Sequence, residues 1–174
     1  MMKHSFTYNN VDMRAEFGLI VERFTDVLAP ELRERKMSVP FRDGAFDYGA
    51  KYYEERKLEI QCGTAALMTR GEARRLSLVL AKKGLIRRWD EEDKYYVGRA
   101  YNPAEIERVA GKMLRFTLAF VCDPFAYGEQ VTEEFSGMAN LTYGGTARTP
   151  TRIIIRNDTG MALNGLVVTM RERI

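Results

Sequence analysis

Met37-Ser-Val-Pro-Phe-Arg-Asp-Gly-Ala-Phe-Asp-Tyr-Gly49 reads as a strand, a tight turn at Arg42-Asp43-Gly44 and a return strand. Asp-Gly between alternating apolar residues is a strong hairpin signal, because the turn needs a positive φ that glycine adopts freely. The return strand runs on through Tyr52, Tyr53 and Glu54-Glu55-Arg56 into Leu58-Glu59-Ile60-Gln61-Cys62. There Leu58, Ile60 and Cys62 alternate with Lys57, Glu59 and Gln61, the pattern of a strand with one wet face.

Strand signals extend outward from this stretch in both directions. Phe6-Thr7-Tyr8 is followed by a polar Asn9-Asn10 turn, and Phe17 to Phe24 is rich in aromatic and β-branched residues. Pro30 to Lys36 is a charged connector into the hairpin. Leu85 to Trp89 and Lys94 to Gly98 flank Asp90-Glu91-Glu92-Asp93, a second hairpin with a polar tip. Leu114 to Cys122 alternates strictly and predicts a strand ending at Asp123-Pro124, because proline cannot donate to a ladder. Asn102-Pro103-Ala104-Glu105 has the local look of a helix start, with an N-cap Asn, Pro at the first helical position and Glu at the third.

One helix is well signalled. Thr69-Arg70-Gly71-Glu72 is a capping box, and Ala73, Leu76, Val79 and Leu80 follow on one face. Lys82-Lys83 suit the C-terminal dipole, and Gly84 is expected to supply a left-handed stop. The helix should cover an open end or face of a sheet.

At 174 residues the chain is one domain of ordinary size, or one domain plus part of another. Apolar residues at 45% and charged residues at 29% fit a folded protein. No apolar run approaches the ~18 residues needed to span a bilayer. Nothing at Met1 to Tyr8 resembles a signal peptide, so the expected site of synthesis is the cytoplasm of the producing cell. The net charge of +3 comes from 27 basic and 24 acidic residues that are interspersed, which argues against nucleic-acid binding. Arg70, Arg74, Arg75, Lys82, Lys83, Arg87 and Arg88 form the densest basic stretch, read as a solvated helix face or a surface for an acidic partner.

Chemistry finds little footing. His4 alone cannot furnish the base of a Ser-His or Cys-His system. Cys62 and Cys122 lie in apolar strands with no C-x-x-C spacing, and read as buried thiols, neither disulfide nor metal ligands. Asp90 to Asp93 lacks the glycine and spacing of a calcium loop. Asp43 and Asp47 are better placed to cap the turn and pair with Arg42 or Arg56 than to act as a glycosidase pair. Gly144-Gly145-Thr146 lacks the lysine of a phosphate loop. The reading is of no enzyme, no cofactor and no metal.

A domain boundary is expected near residue 130, dividing a β-rich unit, 1–130, from a linker and partial β-domain, 131–174. In the latter, Pro150 to Ile155 and Leu163 to Val168 read as two strands joined by Asn157-Asp158-Thr159-Gly160.

Three features in this order resemble the distal tail proteins of long-tailed phages. The first is a P-x-R-D-G-x-x-D-x-G hairpin, matched by Pro40, Arg42, Asp43, Gly44, Asp47 and Gly49, followed by a tyrosine-rich segment bearing Glu and Arg. The second is the strand Arg115-Phe-Thr-Leu-Ala-Phe-Val-Cys-Asp-Pro-Phe-Ala-Tyr127. The third is Asn140 to Ile155, similar to the transition into that family's galectin-like C-terminal domain. The resemblance places a strand over Ile106 to Val109, against the local helix signal at Asn102. It implies a mainly β fold with one α-helix: an antiparallel barrel or sandwich with an extended hairpin, then a partial galectin-like domain. That domain normally has more strands than fit before Ile174, so the chain would be a natural short form or lack its C-terminal part.

The implied function is structural: a hub at a phage or prophage tail tip, six copies forming a ring through their N-terminal domains. The ring would join the tail tube to the baseplate, the fibres and receptor-binding proteins, with a channel for tape measure protein and DNA. The candidate subunit contacts are Arg42, Asp43, Gly44, Tyr48, Tyr52 and Tyr53, because interfaces favour arginine and aromatics. The tyrosines could equally pack within the monomer. The alternative function is a carbohydrate-binding or adhesin module, which rests on the β-rich C-terminal region and 11% aromatic content. An enzyme accessory domain is third.

Overall fold

A computed structural model of the chain describes residues 4–49, 52–64, 66, 68–101, 107–109, 113–138, 140–158, 160–162, 164–165, 167 and 169, without the side chains of 26, 47, 107–109, 113 and 114. It divides into two units, Met1–Glu134 and Phe135–Ile174.

In the first unit, β1 (Phe6–Tyr8) and β2 (Val11–Asp12) form a hairpin, followed by a short helix α1 (Met13–Phe17) and the strand β3 (Leu19–Asp26). A second hairpin, β4 (Lys36–Ser38) and β5 (Ala45–Asp47), precedes β6 (Arg56–Thr64) and the helix α2 (Arg70–Leu80). Then come β7 (Gly84–Arg88), β8 (Glu91–Ala100), β9 (Glu107–Val109), β10 (Met113–Cys122) and β11 (Tyr127–Gly128). The main sheet runs β2-β1-β7-β8-β10-β6-β3, with β9 beside β10 and β11 beside β8, and all pairs are antiparallel. The Ile106 of the strand expected at Ile106 to Val109 lies outside the described residues, and the rest of it is β9.

The alternation in β6 and β10 is the backbone of this fold. They pair from Arg115↔Gly63 to Cys122↔Arg56, so Leu58, Ile60, Cys62, Phe116, Leu118 and Phe120 all point to one face and are buried. Each such side chain contributes roughly 1.5–3 kcal/mol through apolar burial. Phe6, Tyr8, Met13, Leu19 and Ile86 complete the core, and α2 seals it with Leu76 and Leu80.

The main sheet bears out the expected mainly β, antiparallel fold with helix, but it does not close into a barrel. Its path ends at β2 on one side and β3 on the other. Between the ends lies α1, which packs against β1, β2 and β3 and buries Met13 and Phe17. One backbone bond, Val21 N–H to the carbonyl of His4 at 2.9 Å, spans the same gap. A helix fills the space where further strand pairing would otherwise close the sheet.

That helix was not foreseen. Its five residues are too few to show a 3.6-residue period, and only its caps mark it. The Asp12 carboxylate accepts from the amides of Arg14 and Ala15, and Gly18 ends the helix in the left-handed region.

Helix α2 begins as expected: Thr69 Oγ1 accepts from the Glu72 amide, and the Glu72 carboxylate accepts from the Thr69 amide at 2.7 Å. Its end differs. Ala81 caps it in a right-handed conformation, and Gly84 opens β7 opposite Gly98. A Cβ on Gly84 would collide with the Asn9 side chain, which accepts from the Leu85 amide. The glycine is there for space, not for a left-handed stop.

The β7–β8 tip is also tighter than expected. Arg88 pairs with Glu91, leaving only Trp89-Asp90 in the turn and drawing Glu91, Glu92 and Asp93 into β8.

The second unit shows no strand or helix among its described residues. The strand expected over Pro150 to Ile155 is absent, and Ile153, Ile154 and Ile155 are exposed. Two strands with no further sheet to join are marginal in water. Of the partner segment, Leu163, Leu166 and Val168 lie outside the described residues. Of the expected connection, Thr159 lies outside the described residues; the chain bends at Gly160 and Met161, and Asn157 Nδ2 donates to the Met161 carbonyl at 2.7 Å.

Candidate assembly surface

The stretch that opened the sequence reading forms a two-stranded arm. Lys36↔Asp47, Met37↔Phe46 and Ser38↔Ala45 pair in β4 and β5. The pairing continues toward the main sheet: the Tyr48 amide donates to Arg35 O (3.0 Å), Arg33 to Tyr52 O (2.8 Å) and Glu54 to Glu31 O (2.7 Å), with Leu32↔Tyr53 bridged between. From Glu31 to Ser38 the arm measures about 25 Å at ~3.3 Å per residue. Among the described residues of the first unit, no second layer covers it. Its described residues are exposed apart from the half-buried Val39 and Glu54.

At the far end the chain reverses over Val39 to Gly44, which is longer than the tight Arg42-Asp43-Gly44 turn expected. The Arg42 amide donates to Val39 O at 3.3 Å, with Pro40 and Phe41 at the corners. Gly44 has φ +76°, as the sequence required, but Phe41 also has a positive φ of +63°. A bulky side chain in the left-handed region costs about 1–2 kcal/mol, and here it is fully exposed as well.

The predicted contact residues are all on this arm, spread from tip to foot. Arg42, Asp43 and Gly44 are at the tip; the Arg42 guanidinium lies over the Phe46 ring at 5.5 Å. Tyr48 (57% exposed) meets Phe46 edge-on at 4.9 Å, and Tyr52 is 69% exposed. Tyr53 (39% exposed) is at the foot, edge-on to Phe125 at 5.1 Å. Tyr53 therefore packs within the monomer, whereas Tyr48 and Tyr52 are largely open. The expected pairing of Asp43 with Arg42 or Arg56 does not occur: among the described residues Asp43 has no ion pair. The side chain of Asp47 lies outside them.

Several exposed apolar residues were missed: Phe41, Met37, Phe46 and, before the arm, Val27 and Leu28. Met37 and Phe46 alternate like core residues, and only the absence of a covering layer makes them surface. The Pro40-Phe41 pair inside a turn was the available signal.

Of the two buried charges among the described residues, Arg88 is satisfied and Arg56 is the exception. Arg33 clasps Glu54 through Nε and Nη2 at 2.7 and 3.2 Å, which lowers the Glu54 pKa and raises that of Arg33. Glu31, Leu32, Glu34 and Glu54 line a shallow hollow beside it. Arg88 holds Asp90, and Tyr96 Oη donates to Glu91 at 2.7 Å; burial first, then that bond, pushes the Tyr96 pKa up to about 12. The exception is Arg56, the first residue of β6. It is only 9% exposed, its guanidinium lies over Tyr96 at 5.6 Å, and its buried Nε has no hydrogen-bond partner.

The basic stretch is largely neutralised by the chain itself, through Arg75–Glu16, Lys83–Asp123, Arg87–Glu129 and Arg88–Asp90. Cys62 and Cys122 are buried free thiols, and burial pushes both pKa values up to about 12. His4 stands beside Trp89, ring centroids 4.9 Å apart. Among the described residues no three His, Cys, Asp or Glu side chains are grouped to hold a metal, and no helix is long and apolar enough to cross a membrane.

No protein-family profile matches the chain, and no curated protein does either. The crystal structure of the SPP1 Dit (gp 19.1) protein does match. That protein is presented as a paradigm of the hub adsorption apparatus in phages infecting Gram-positive hosts. The TM-score is 0.59 at 24% identity, over 73% of this chain and 53% of that one.

The fold is that of a phage distal tail protein. The chain spans about half the length of the distal tail protein it matches. Within that fold, the first sequence hallmark is the arm and the start of β6, and the second is β10 and β11.

Proposed function

We propose that this chain is a structural component of a phage or prophage tail tip, a ring-forming hub that joins the tail tube to the baseplate and receptor-binding machinery. The observation that carries the reading is the fold shared with a hub protein of a phage adsorption apparatus. The arm supports it independently. A two-stranded extension displaying Phe41, Tyr48 and Tyr52 to solvent is costly in a monomer and useful in an assembly, where such patches are covered. A repeated head-to-tail contact closes into a ring when its rotation divides a full turn. The first unit would form the ring, in six copies by the sequence resemblance, with the tail tube, the fibre or receptor-binding proteins and tape measure protein as neighbours in the virion tail. The arm tip and Tyr48, Tyr52 and Tyr53 are the proposed contacts, and the role is assembly, with no catalytic step.

Light scattering coupled to size-exclusion chromatography, with negative-stain images of the same peak, tests this. A ring-sized particle with a central hole is expected. A monomer at all concentrations that binds glycans would replace the hub with an adhesin.

A further inference from the structure

The outer face of α2 carries charge that its own chain leaves unanswered. Leu76 and Leu80 point into the core, while Arg70, Arg74 and Leu78 follow at four-residue steps on the exposed side. Lys82 stands just past the last turn. Arg75 pairs with Glu16 and Lys83 with Asp123, but Arg70, Arg74 and Lys82 have no ion pair among the described residues. Leu78 stands between them, 72% exposed. Gly71 lies on the same face, with only Thr69 Oγ1 within 4 Å of where a Cβ would be. A glycine here weakens the helix without relieving any contact of its own chain, and it leaves the backbone open to close approach.

The same chain carries a segment of opposite sign. Glu133 and Glu134 are the one adjacent pair of exposed carboxylates without an ion pair among the described residues. Val131 on one side is 80% exposed and Phe135 on the other 57%. Laid out extended, Val131, Glu133 and Phe135 share one side at steps of about 6.6 Å, against about 6 Å between Arg74 and Leu78 on the helix. Glu133 facing Arg74 therefore brings an apolar neighbour beside Leu78. Within one chain the two surfaces do not meet. Asp123 holds Lys83 at the helix end, and from there the chain leaves the helix, with Tyr127 beside Tyr95 and Glu129 on Arg87.

We infer that the outer face of α2 is the seat for the segment Val131 to Phe135 of a second copy. Glu133 and Glu134 meet Arg70 and Arg74, and the apolar residues close over Leu78 and Gly71. Such a contact deepens the hub reading and rests on it. Each copy gives a segment and receives one, the head-to-tail pattern that closes into a ring.

Two one-sided variants of the full chain, followed by mass photometry, test the seat. Arg70→Glu with Arg74→Glu reverses the helix face, and Glu133→Lys with Glu134→Lys reverses the segment. All four side chains are exposed, so both proteins should melt like the wild type. Alone, each variant sets like charges against each other and should weaken assembly about 10-fold or more. Mixed in equal amounts they should assemble again. The unaltered segment of one then meets the unaltered helix of the other, and the reversed pair matches too. Variants that assemble like the wild type, or a mixture as weak as its components, overturn the seat and leave the hub reading standing. A wild type that stays monomeric overturns both. If a reversed variant melts early, Arg74→Gln and Glu133→Gln replace it, singly and together. A double variant no weaker than either single is then expected, and additive losses refute the contact.

Discussion

Arg88 grips Asp90 across the β7–β8 turn, Nε to Oδ1 at 2.9 Å and Nη2 to Oδ2 at 2.7 Å, while its guanidinium lies over the Phe24 ring at 4.4 Å. The clasp ties a two-residue turn to β3 at the far edge of the sheet path. Its carboxylate is about one-third exposed, so water screens part of the attraction. Asp90→Asn should cost about 1–2 kcal/mol at pH 7. The Arg88 hydrogen bonds are the main cause holding the Asp90 pKa below its ordinary value. Stability from a depressed carboxylate is present above its unfolded pKa of about 3.9 and is lost as pH falls through the lower folded value. Urea unfolding of both proteins at pH 7 and in a descending acid series should show the gap constant near neutrality and vanishing in acid.

Glycines in this fold give opposite responses to alanine. At Gly98 an added Cβ would stand 2.8 Å from the Val121 carbonyl and 2.5 Å from Cys122 Sγ, in the buried β8–β10 seam. Gly98→Ala should therefore destabilise by about 1–3 kcal/mol through overpacking. At Gly71, in the first turn of α2, the nearest atom is Thr69 Oγ1 at 3.8 Å and the backbone is helical. Gly71→Ala should stabilise by roughly 0.5 kcal/mol. Thermal melts of the two variants separate the cases by sign.

The α2 cap is the third test. Thr69→Ala removes the acceptor for the Glu72 amide and the partner of its carboxylate, and should cost about 1 kcal/mol. Hydrogen exchange should quicken in the first turn of α2, while the β6–β10 seam stays protected.

These sites differ in how far the sequence revealed them. The β6 and β10 strands and the start of α2 were legible because strict alternation and a capping box are local signals that burial then reinforces. The end of α2 was not, since Gly84 serves a contact with Asn9, 75 residues earlier in the chain, that no local pattern encodes. The helix α1 hid in five residues between two caps. The isoleucines at 153–155 read as a strand because composition reports strand preference, whereas a strand needs a neighbour to pair with. The arm was visible as a hairpin, but not its nakedness. Met37 and Phe46 have the spacing of buried residues, and whether a layer covers them is a property of the whole fold.

Phe41 is where strain and exposure coincide, so its substitution should separate monomer stability from assembly. Its φ of +63° disfavours a bulky residue, and it leaves the side chain fully in water. Phe41→Gly removes the conformational penalty, which should stabilise the tip turn by about 1 kcal/mol. It also removes the apolar group at the arm tip, a proposed subunit contact. Amide exchange at Arg42 to Gly44 should therefore slow in the variant while ring formation weakens. A residue that mattered only to its own turn would improve both. A variant that assembles at least as well as the wild type would take Phe41 out of the interface and leave its left-handed backbone without a function.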